Sequence, residues 1–218
     1  MQNFENVFLP NHILLTHNLT LMRCKDSSRD VFLKAFKTVA SLLVAEGMRF
    51  LPEKDVEITT PICDMKTKMI DDSFSYIIMP ILRAGLALTD IMVDFLPQGH
   101  VMHVGMYRNE ETRQPVWYYD KTPEKFSQNT KVFLLDPMLA TGGSALAVLD
   151  LLVQKGVLIE NIVFVSVLSA PEGIQTIHEK YPMLKIVTGA IDECLNENAY
   201  IVPGLGDAGD RYFNSVIS

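Results

Sequence analysis

Lys131-Val-Phe-Leu-Leu-Asp-Pro-Met-Leu-Ala-Thr-Gly-Gly-Ser-Ala145 is the segment on which the fold turns. Val132 to Leu135 read as a short buried strand, Asp136 stands at its carboxyl end, and Ala140-Thr-Gly-Gly-Ser144 runs straight into a helix expected over Gly143 to Lys155. Backbone N–H groups at such a helix start, with two glycines permitting close approach, form a concave site for a phosphate, and the hydroxyls of Thr141 and Ser144 add donors. A carboxylate just before this nest cannot itself attract phosphate and suits sugar hydroxyls better, so the two together fit a ribose 5-phosphate. A plain strand-to-helix turn would need only Thr141 or Ser144 as a cap. The lysine of a Walker loop and the glycine spacing of a dinucleotide fingerprint are both missing.

Outward from this segment the pattern alternates. Tyr76 to Leu82 is an apolar run, Gly85 to Phe95 a helix, and Val101 to Tyr107 an alternating strand; after Leu135 come strand Ile162 to Leu168, helix Pro171 to Lys180 and strand Leu184 to Val187, with Gly156 where a helix stop is expected. Alternation of this kind implies an α/β fold, a mostly parallel sheet with helices on both faces, and ligands at the carboxyl ends of the strands. Upstream, Ser27 to Gly47 reads as a helix capped by Ser27 with Asp30 and stopped by Gly47; it precedes the first strand of the main pattern and suits either a lid or a dimer surface. Tyr107 to Pro123 is polar and aromatic and suggests an excursion from the sheet, a hairpin able to cover a site. The 218 residues read as a single domain spanning 1–218.

The 26 acidic and 19 basic residues leave a net charge of −7, which argues against a nucleic-acid partner, so an anionic ligand must be held locally. The opening residues lack a cationic start followed by an apolar stretch, and no apolar run is long enough to cross a bilayer; the expectation is a cytoplasmic protein with no membrane partner. Cys24, Cys63 and Cys194 are far apart and unpaired in spacing, which suits small buried hydrophobes in a reducing compartment. His100 and His103 would point to opposite faces of one strand and cannot share a metal. Asp71-Asp72 reads as a solvated turn, and methionines such as Met65, Met69, Met102 and Met106 as packing material.

Asp136-Pro-Met-Leu-Ala-Thr-Gly-Gly-Ser144 resembles the ribose-phosphate motif of the type I phosphoribosyltransferases, and specifically the uracil branch, in which Pro137 replaces the second acid of most relatives. Met79-Pro-Ile-Leu-Arg-Ala-Gly-Leu86 resembles the family's pyrophosphate loop, Gly105-Met-Tyr-Arg-Asn-Glu-Glu-Thr112 its second basic segment, and Ala199-Tyr-Ile-Val-Pro-Gly-Leu-Gly-Asp-Ala-Gly-Asp-Arg211 its uracil-binding stretch. His17-Asn-Leu-Thr-Leu-Met-Arg23 is a weaker match to the family's opening. The resemblance implies a three-layer fold with a small hood and an extended β-arm. It also implies an enzyme that joins uracil to phosphoribosyl diphosphate, giving UMP and diphosphate, with a pyrimidine-nucleotide sensor of little or no turnover as the alternative.

It further implies roles for individual residues. Arg83, Arg108 and Asp207 would be catalytic, the two guanidinium groups meeting the charge that develops on the leaving diphosphate. Asp136, Pro137, Met138, Leu139, Ala140, Thr141, Gly142, Gly143 and Ser144, with Arg83, Arg108 and Asp207, would bind phosphoribosyl diphosphate; Ile201, Gly206, Asp207 and Ala208 would read uracil, largely through main-chain groups. Magnesium is implied as a cofactor carried mainly by the substrate diphosphate, with Asp207 beside its metal-bearing end and no residue assigned as a protein metal ligand. A homodimer or higher homo-oligomer is implied as well. The sequence departs from the family at Asn18, where lysine is common, at Ala45-Glu-Gly-Met48, which replaces a more usual Tyr-Glu-Ala-Thr, and at Phe213-Asn-Ser215, where Gly-Thr follows the aromatic residue.

Overall fold

The structure, a computed structural model, describes residues 4–108 and 115–215, and of Tyr107, Arg108 and Pro115 the backbone only. In chain order the elements are β1 (Val7–Phe8), α1 (Ile13–Arg23), α2 (Arg29–Met48), β2 (Glu53–Thr59), β3 (Asp64–Ile70), β4 (Ser75–Leu82), α3 (Leu86–Phe95), β5 (His100–Val101), β6 (Val104–Arg108) and β7 (Pro115–Asp120). They continue with β8 (Thr130–Leu135), β9 (Met138–Leu139), α4 (Gly143–Gln154), β10 (Ile162–Ser169), α5 (Pro171–Lys180), β11 (Lys185–Ile191), β12 (Cys194–Leu195), β13 (Ile201–Val202) and α6 (Ala208–Phe213).

The main sheet runs β1-β11-β10-β8-β4-β6-β7, parallel throughout except for β7, which returns antiparallel to β6. Period-two alternation in the strands sorts side chains to two cores. Ile78, Phe133, Leu135, Val163, Val165 and Val187 face one way, onto Phe36, Val39 and Leu43 of α2 and Leu88 and Met92 of α3. Ile77, Met79, Val132, Leu134, Phe164 and Ile186 face the other, onto Val148 and Leu152 of α4 and Ile174 and Ile177 of α5. Both faces of the central strands are dry, which is why these strands read as continuous apolar runs. The expected α/β architecture is the observed one. Among the described residues no helix is long and apolar enough to cross a membrane.

Several local expectations are corrected. Ser28 rather than Ser27 caps α2, its hydroxyl accepting from the Val31 N–H at 3.4 Å, while the Ser27 hydroxyl turns back to the Leu21 carbonyl at 2.6 Å. Gly47 does not stop α2: it is buried in the last turn, and a Cβ there would meet Val165 at 3.5 Å, so the small residue is a packing contact. The helix is a layer of the core and not a lid, because it buries Phe32, Phe36, Val39 and Leu43. The strand expected over Val101 to Tyr107 breaks at Met102-His103 into β5 and β6, which pair in turn with β4, so His103 lies outside any strand. All three cysteines are exposed: Cys24 ends α1, Cys63 sits in the turn between β2 and β3, and Cys194 lies on the two-residue strand β12.

The excursion at Tyr107 to Pro123 is the β6–β7 hairpin, with residues 109–114 outside the described residues. A second hairpin, β2–β3, pairs only with itself and projects from the sheet as an arm. Its open face holds the hollow of about 510 Å³ lined by Asp55, Val56, Glu57, Lys66, Thr67 and Lys68, which no residue of the main sheet lines.

Lys131, the second residue of β8, is 3% exposed and makes no ion pair among the described residues. Burial, with a smaller push from the Lys185 cation, brings its ammonium down to about 8. The unfolded chain therefore holds a proton that the folded chain gives up between about pH 8 and the ordinary lysine value, and the cost of carrying that charge inside is full below this window. Lys131→Met is expected to stabilise the protein at pH 7 by on the order of 2 kcal/mol. Paired denaturant titrations should show the advantage shrinking as pH rises to about 10; an advantage independent of pH would rule this account out.

Candidate active site

The Asp136–Ser144 segment folds as its sequence requires. β8 stops at Leu135 and β9 resumes beside β10 in unchanged register, so Asp136-Pro137 is an interruption in one continuous edge. Pro137 has no N–H to give the ladder; its carbonyl accepts from Val167 N at 2.9 Å, Leu168 N at 3.1 Å and the Ser166 hydroxyl at 3.1 Å. That grip fixes the segment while Asp136 stays half-buried, within reach of the Met138 N–H at 3.5 Å. Gly142 takes a left-handed conformation, φ 78°, and begins α4; a Cβ on it would lie 2.8 Å from the Gly173 carbonyl. Gly173 in turn could carry no Cβ, which would stand 2.4 Å from the Ala140 carbonyl. The two glycines let the loop lie flat on the start of α5. Its concave side is a hollow of about 90 Å³ lined by Asp136 and by Met138 through Ala145, with Ser144 exposed at the rim.

Two further segments meet this one. The turn after β4 carries Arg83, whose side chain is 70% exposed, and Gly85 locks the turn against the end of β8: a Cβ there would be 2.4 Å from the Leu135 carbonyl and 2.6 Å from Ile81 N. From the C-terminal side, a Cβ on Gly209 would contact Ala84 at 3.7 Å, so the start of α6 rests on the Arg83 turn. Asp207 caps α6, its Oδ1 accepting from Asp210 N at 2.8 Å, and its charge acts on Asp136. Arg83 lies 3.8 Å from Asp210, an exposed pair of small energetic worth. Arg108 ends β6 at the same edge of the sheet, but its side chain lies outside the described residues.

The loop from Ile201 to Ala208 is held by residues that sequence reading had not assigned. Gly204 (φ 63°) follows the cis peptide between Val202 and Pro203, and a Cβ on it would sit 2.1 Å from the Ile201 carbonyl. The Gly204 N–H donates to Asp192 at 2.8 Å and its carbonyl accepts from Arg23 at 2.9 Å. Arg23 closes the ring with a two-pronged contact to Asp192 at 2.8 and 2.5 Å. Arg211 donates to the carbonyls of Leu205 at 2.9 Å and Cys24 at 3.0 Å, and to that of Met22, with its guanidinium 4.3 Å from the Phe32 ring centre.

A strand-end carboxylate, a glycine nest at a helix start, an arginine turn and a strapped glycine loop thus share one end of the sheet. The family model described as uracil phosphoribosyltransferase matches residues 9–215. The chain belongs to the uracil phosphoribosyltransferase family. It is 46% identical over 209 residues to the uracil phosphoribosyltransferase of Dictyoglomus thermophilum, covering 96% of this chain and 99% of that one. It is likewise 46% identical to the Streptococcus pneumoniae serotype 4 protein of that name, over 94% and 96% of the two chains. A solved protein of Aquifex aeolicus superposes with a TM-score of 0.84 at 32% identity, over 97% of this chain and all of that one. The adenine phosphoribosyltransferase of Trypanosoma brucei, solved with AMP, pyrophosphate and ribose-5-phosphate, gives 0.58 at 13% identity over 95% and 90% of the chains and shares the fold.

Within this uracil phosphoribosyltransferase scaffold Asp136 is the group whose acidity is most altered. Burial raises its pKa, the Met138 N–H lowers it, and the Asp207 charge raises it again, leaving it at about 7. The folded chain therefore holds a proton that the unfolded chain releases from about pH 4 upward. Stability on this account declines as pH climbs through that range, and the penalty is complete above about 7. Asp136→Asn is expected to melt several degrees above the parent at pH 8 in the absence of substrate, with the gap closing toward pH 4. A gap that stays constant across that range would show that Asp136 ionises at its ordinary value.

Of the departures from the family pattern, Asn18 donates to the Leu14 carbonyl within α1 at 2.8 Å. Asn214 ends α6 in a left-handed conformation, φ 55°, and the Ser215 hydroxyl donates to Asp210 at 2.7 Å. Neither removes a residue assigned to substrate.

Proposed function

We propose that this protein transfers the phosphoribosyl group of 5-phosphoribosyl 1-diphosphate to uracil, producing UMP and diphosphate. The observation that carries the reading is the convergence of the Asp136–Ser144 cup, the Arg83 turn and the Ile201–Ala208 loop. Gly85 and Gly209 pack the turn between the end of β8 and the start of α6.

In this reading N–H groups from Thr141 through Ser144 and the hydroxyls of Thr141 and Ser144 take the 5-phosphate, and Asp136 accepts the ribose hydroxyls. Met138, Leu139 and Ala140 line the path between them, and Pro137 fixes that path from behind through its carbonyl. Main-chain groups at Ile201, Gly206 and Ala208 read the base, whose donors and acceptors a rigid loop can match without charged side chains. The uracil nitrogen forms its bond to the anomeric carbon as the bond from that carbon to the diphosphate oxygen breaks. The electron pair leaves with diphosphate, and the proton of the nitrogen passes to water. Arg83, and Arg108 by the resemblance of its segment, would meet the oxygens that gain charge in that step, which is where fixed cations lower the barrier.

No cluster of three or more His, Cys, Asp or Glu side chains that could cage a metal is present among the described residues. Asp136 and Asp207, near enough for the charge of one to act on the other, suit an ion that takes most of its coordination from substrate and water. Magnesium carried on the diphosphate would neutralise part of its charge, with Asp207 beside it. The same reading makes the protein a cytoplasmic salvage enzyme and a homodimer or higher homo-oligomer. The exposed Ile62, Met65 and Met69 of the β2–β3 arm support the last point.

The test is one incubation with magnesium, phosphoribosyl diphosphate and, in separate reactions, uracil, cytosine, orotate, hypoxanthine and adenine. UMP formed from uracil alone is expected. Tight nucleotide binding without turnover would overturn the reading in favour of a sensor, and turnover of another base would overturn its specificity.

A further inference from the structure

The segment that reads the base contains two left-handed glycines, at Gly204 and Gly206, and is half-exposed at Val202. Strand pairing does little to hold it, since β12 and β13 align at only two positions and lie apart from the main sheet. What fixes it is a ring of three groups from distant parts of the chain. Arg23 comes from the last turn of α1, Asp192 from just past β11, and the Gly204 peptide lies between them with both its N–H and its carbonyl engaged. The carboxylate of Asp192 is 4% exposed and the Arg23 side chain 25%, so the pair is screened from water and its geometry is exacting. Arg211 adds a second strap from the loop to the same end of α1, through the carbonyls of Met22 and Cys24.

We propose that Arg23 and Asp192 are positioning residues for base recognition. Their paired contact sets the Gly204 peptide, and through it the main-chain donors and acceptors at Ile201, Gly206 and Ala208 that meet the pyrimidine. The inference rests on the uracil reading above and assigns to the end of α1 a role in choosing the base that is separate from binding the activated sugar. Neither residue reaches the phosphate cup, whose lining runs from Asp136 through Ala145. Asp207, which belongs to the same loop, has its own anchor in the Asp210 N–H at 2.8 Å, so the effect of breaking the ring should fall chiefly on uracil and much less on the activated sugar. A lysine at position 23 keeps the charge but loses the fork that spans both Asp192 oxygens and the Gly204 carbonyl.

Arg23→Lys and Asp192→Asn are the variants. Steady-state kinetics should show the KM for uracil rising about tenfold or more, with the KM for phosphoribosyl diphosphate within about twofold of the parent. Calorimetric binding of phosphoribosyl diphosphate with magnesium should be unchanged, which also shows that each variant is folded. A parallel rise in both KM values, or no rise in either, would overturn the proposal. Hydrogen exchange at the Gly204 amide supplies a readout that does not need turnover. Faster exchange in Arg23→Lys is expected, and unchanged protection would overturn the loop-holding role. A parent protein that makes no UMP from uracil would sink the functional reading itself, and Gly204 exchange would still decide whether the ring holds the loop.

Discussion

Arg83→Ala is expected to lower kcat by on the order of 10²–10³ while leaving uracil affinity within a few-fold of the parent. The guanidinium stands at the end of an apolar strand, with a side chain 70% exposed and its nearest acid 3.8 Å away. So loose a pair contributes little to folding, and the variant should melt with the parent. The loss should therefore be confined to charge stabilisation during departure of the diphosphate, a cost of about 3–4 kcal/mol in the barrier. Arg83→Lys should recover only part of it, because an ammonium cannot span two phosphate oxygens as a guanidinium does. Rapid-quench measurement of the chemical step with saturating substrates checks this directly. Equal losses in turnover and in uracil binding would remove Arg83 from the leaving-group role.

The second large effect is expected at Gly204. Alanine there meets two penalties together: a Cβ 2.1 Å from the Ile201 carbonyl, and a backbone φ of 63° that L residues adopt reluctantly. Overpacking costs about 1–3 kcal/mol and the left-handed conformation about 1 kcal/mol more. The loop lies at the edge of the fold, so it can shift and relieve the clash, and the cost should surface mainly as a misplaced base site. Gly204→Ala should raise the KM for uracil by on the order of 10², with binding of phosphoribosyl diphosphate retained. Gly206→Ala is the control: its φ of 82° is also left-handed, but the nearest atom to a Cβ is the flexible Arg211 Cδ at 3.8 Å, so the milder loss should come from strain alone. Equal losses at the two positions would show that backbone conformation, and not the close approach to Ile201, decides the effect.

The parts of the fold that were legible in the sequence are those whose signal is local. β8, α4, β10 and α5 announce themselves by apolar runs and helical spacing, and the Thr141–Ser144 nest is continuous in sequence, so its chemistry can be read where it stands. An extended β-arm was expected from the resemblance alone; the residues of the β2–β3 arm were not placed, because Glu53-Lys-Asp-Val-Glu-Ile-Thr59 is charged and exposed along most of its length and a ladder that pairs only with itself leaves no apolar stripe. The cysteines were expected inside on the ordinary habit of that residue, yet each sits at a turn, a helix end or a strand edge. The ring of Arg23, Asp192 and Gly204 was illegible for a different reason. Its members lie 169 and 181 residues apart along the chain, and an arginine ending a helix or an aspartate following a strand is unremarkable until the fold brings them together.

The straps at Arg23 and Arg211 also bear on how the enzyme is made. The end of α1 leaves the ribosome 181 residues ahead of the Gly204 peptide that it anchors. The elements against which the Asp136–Ser144 cup packs, β10 and α5, follow it closely in the chain. The Ile201–Ala208 loop gains its strap only when Arg211 clears the exit tunnel and returns to the end of α1.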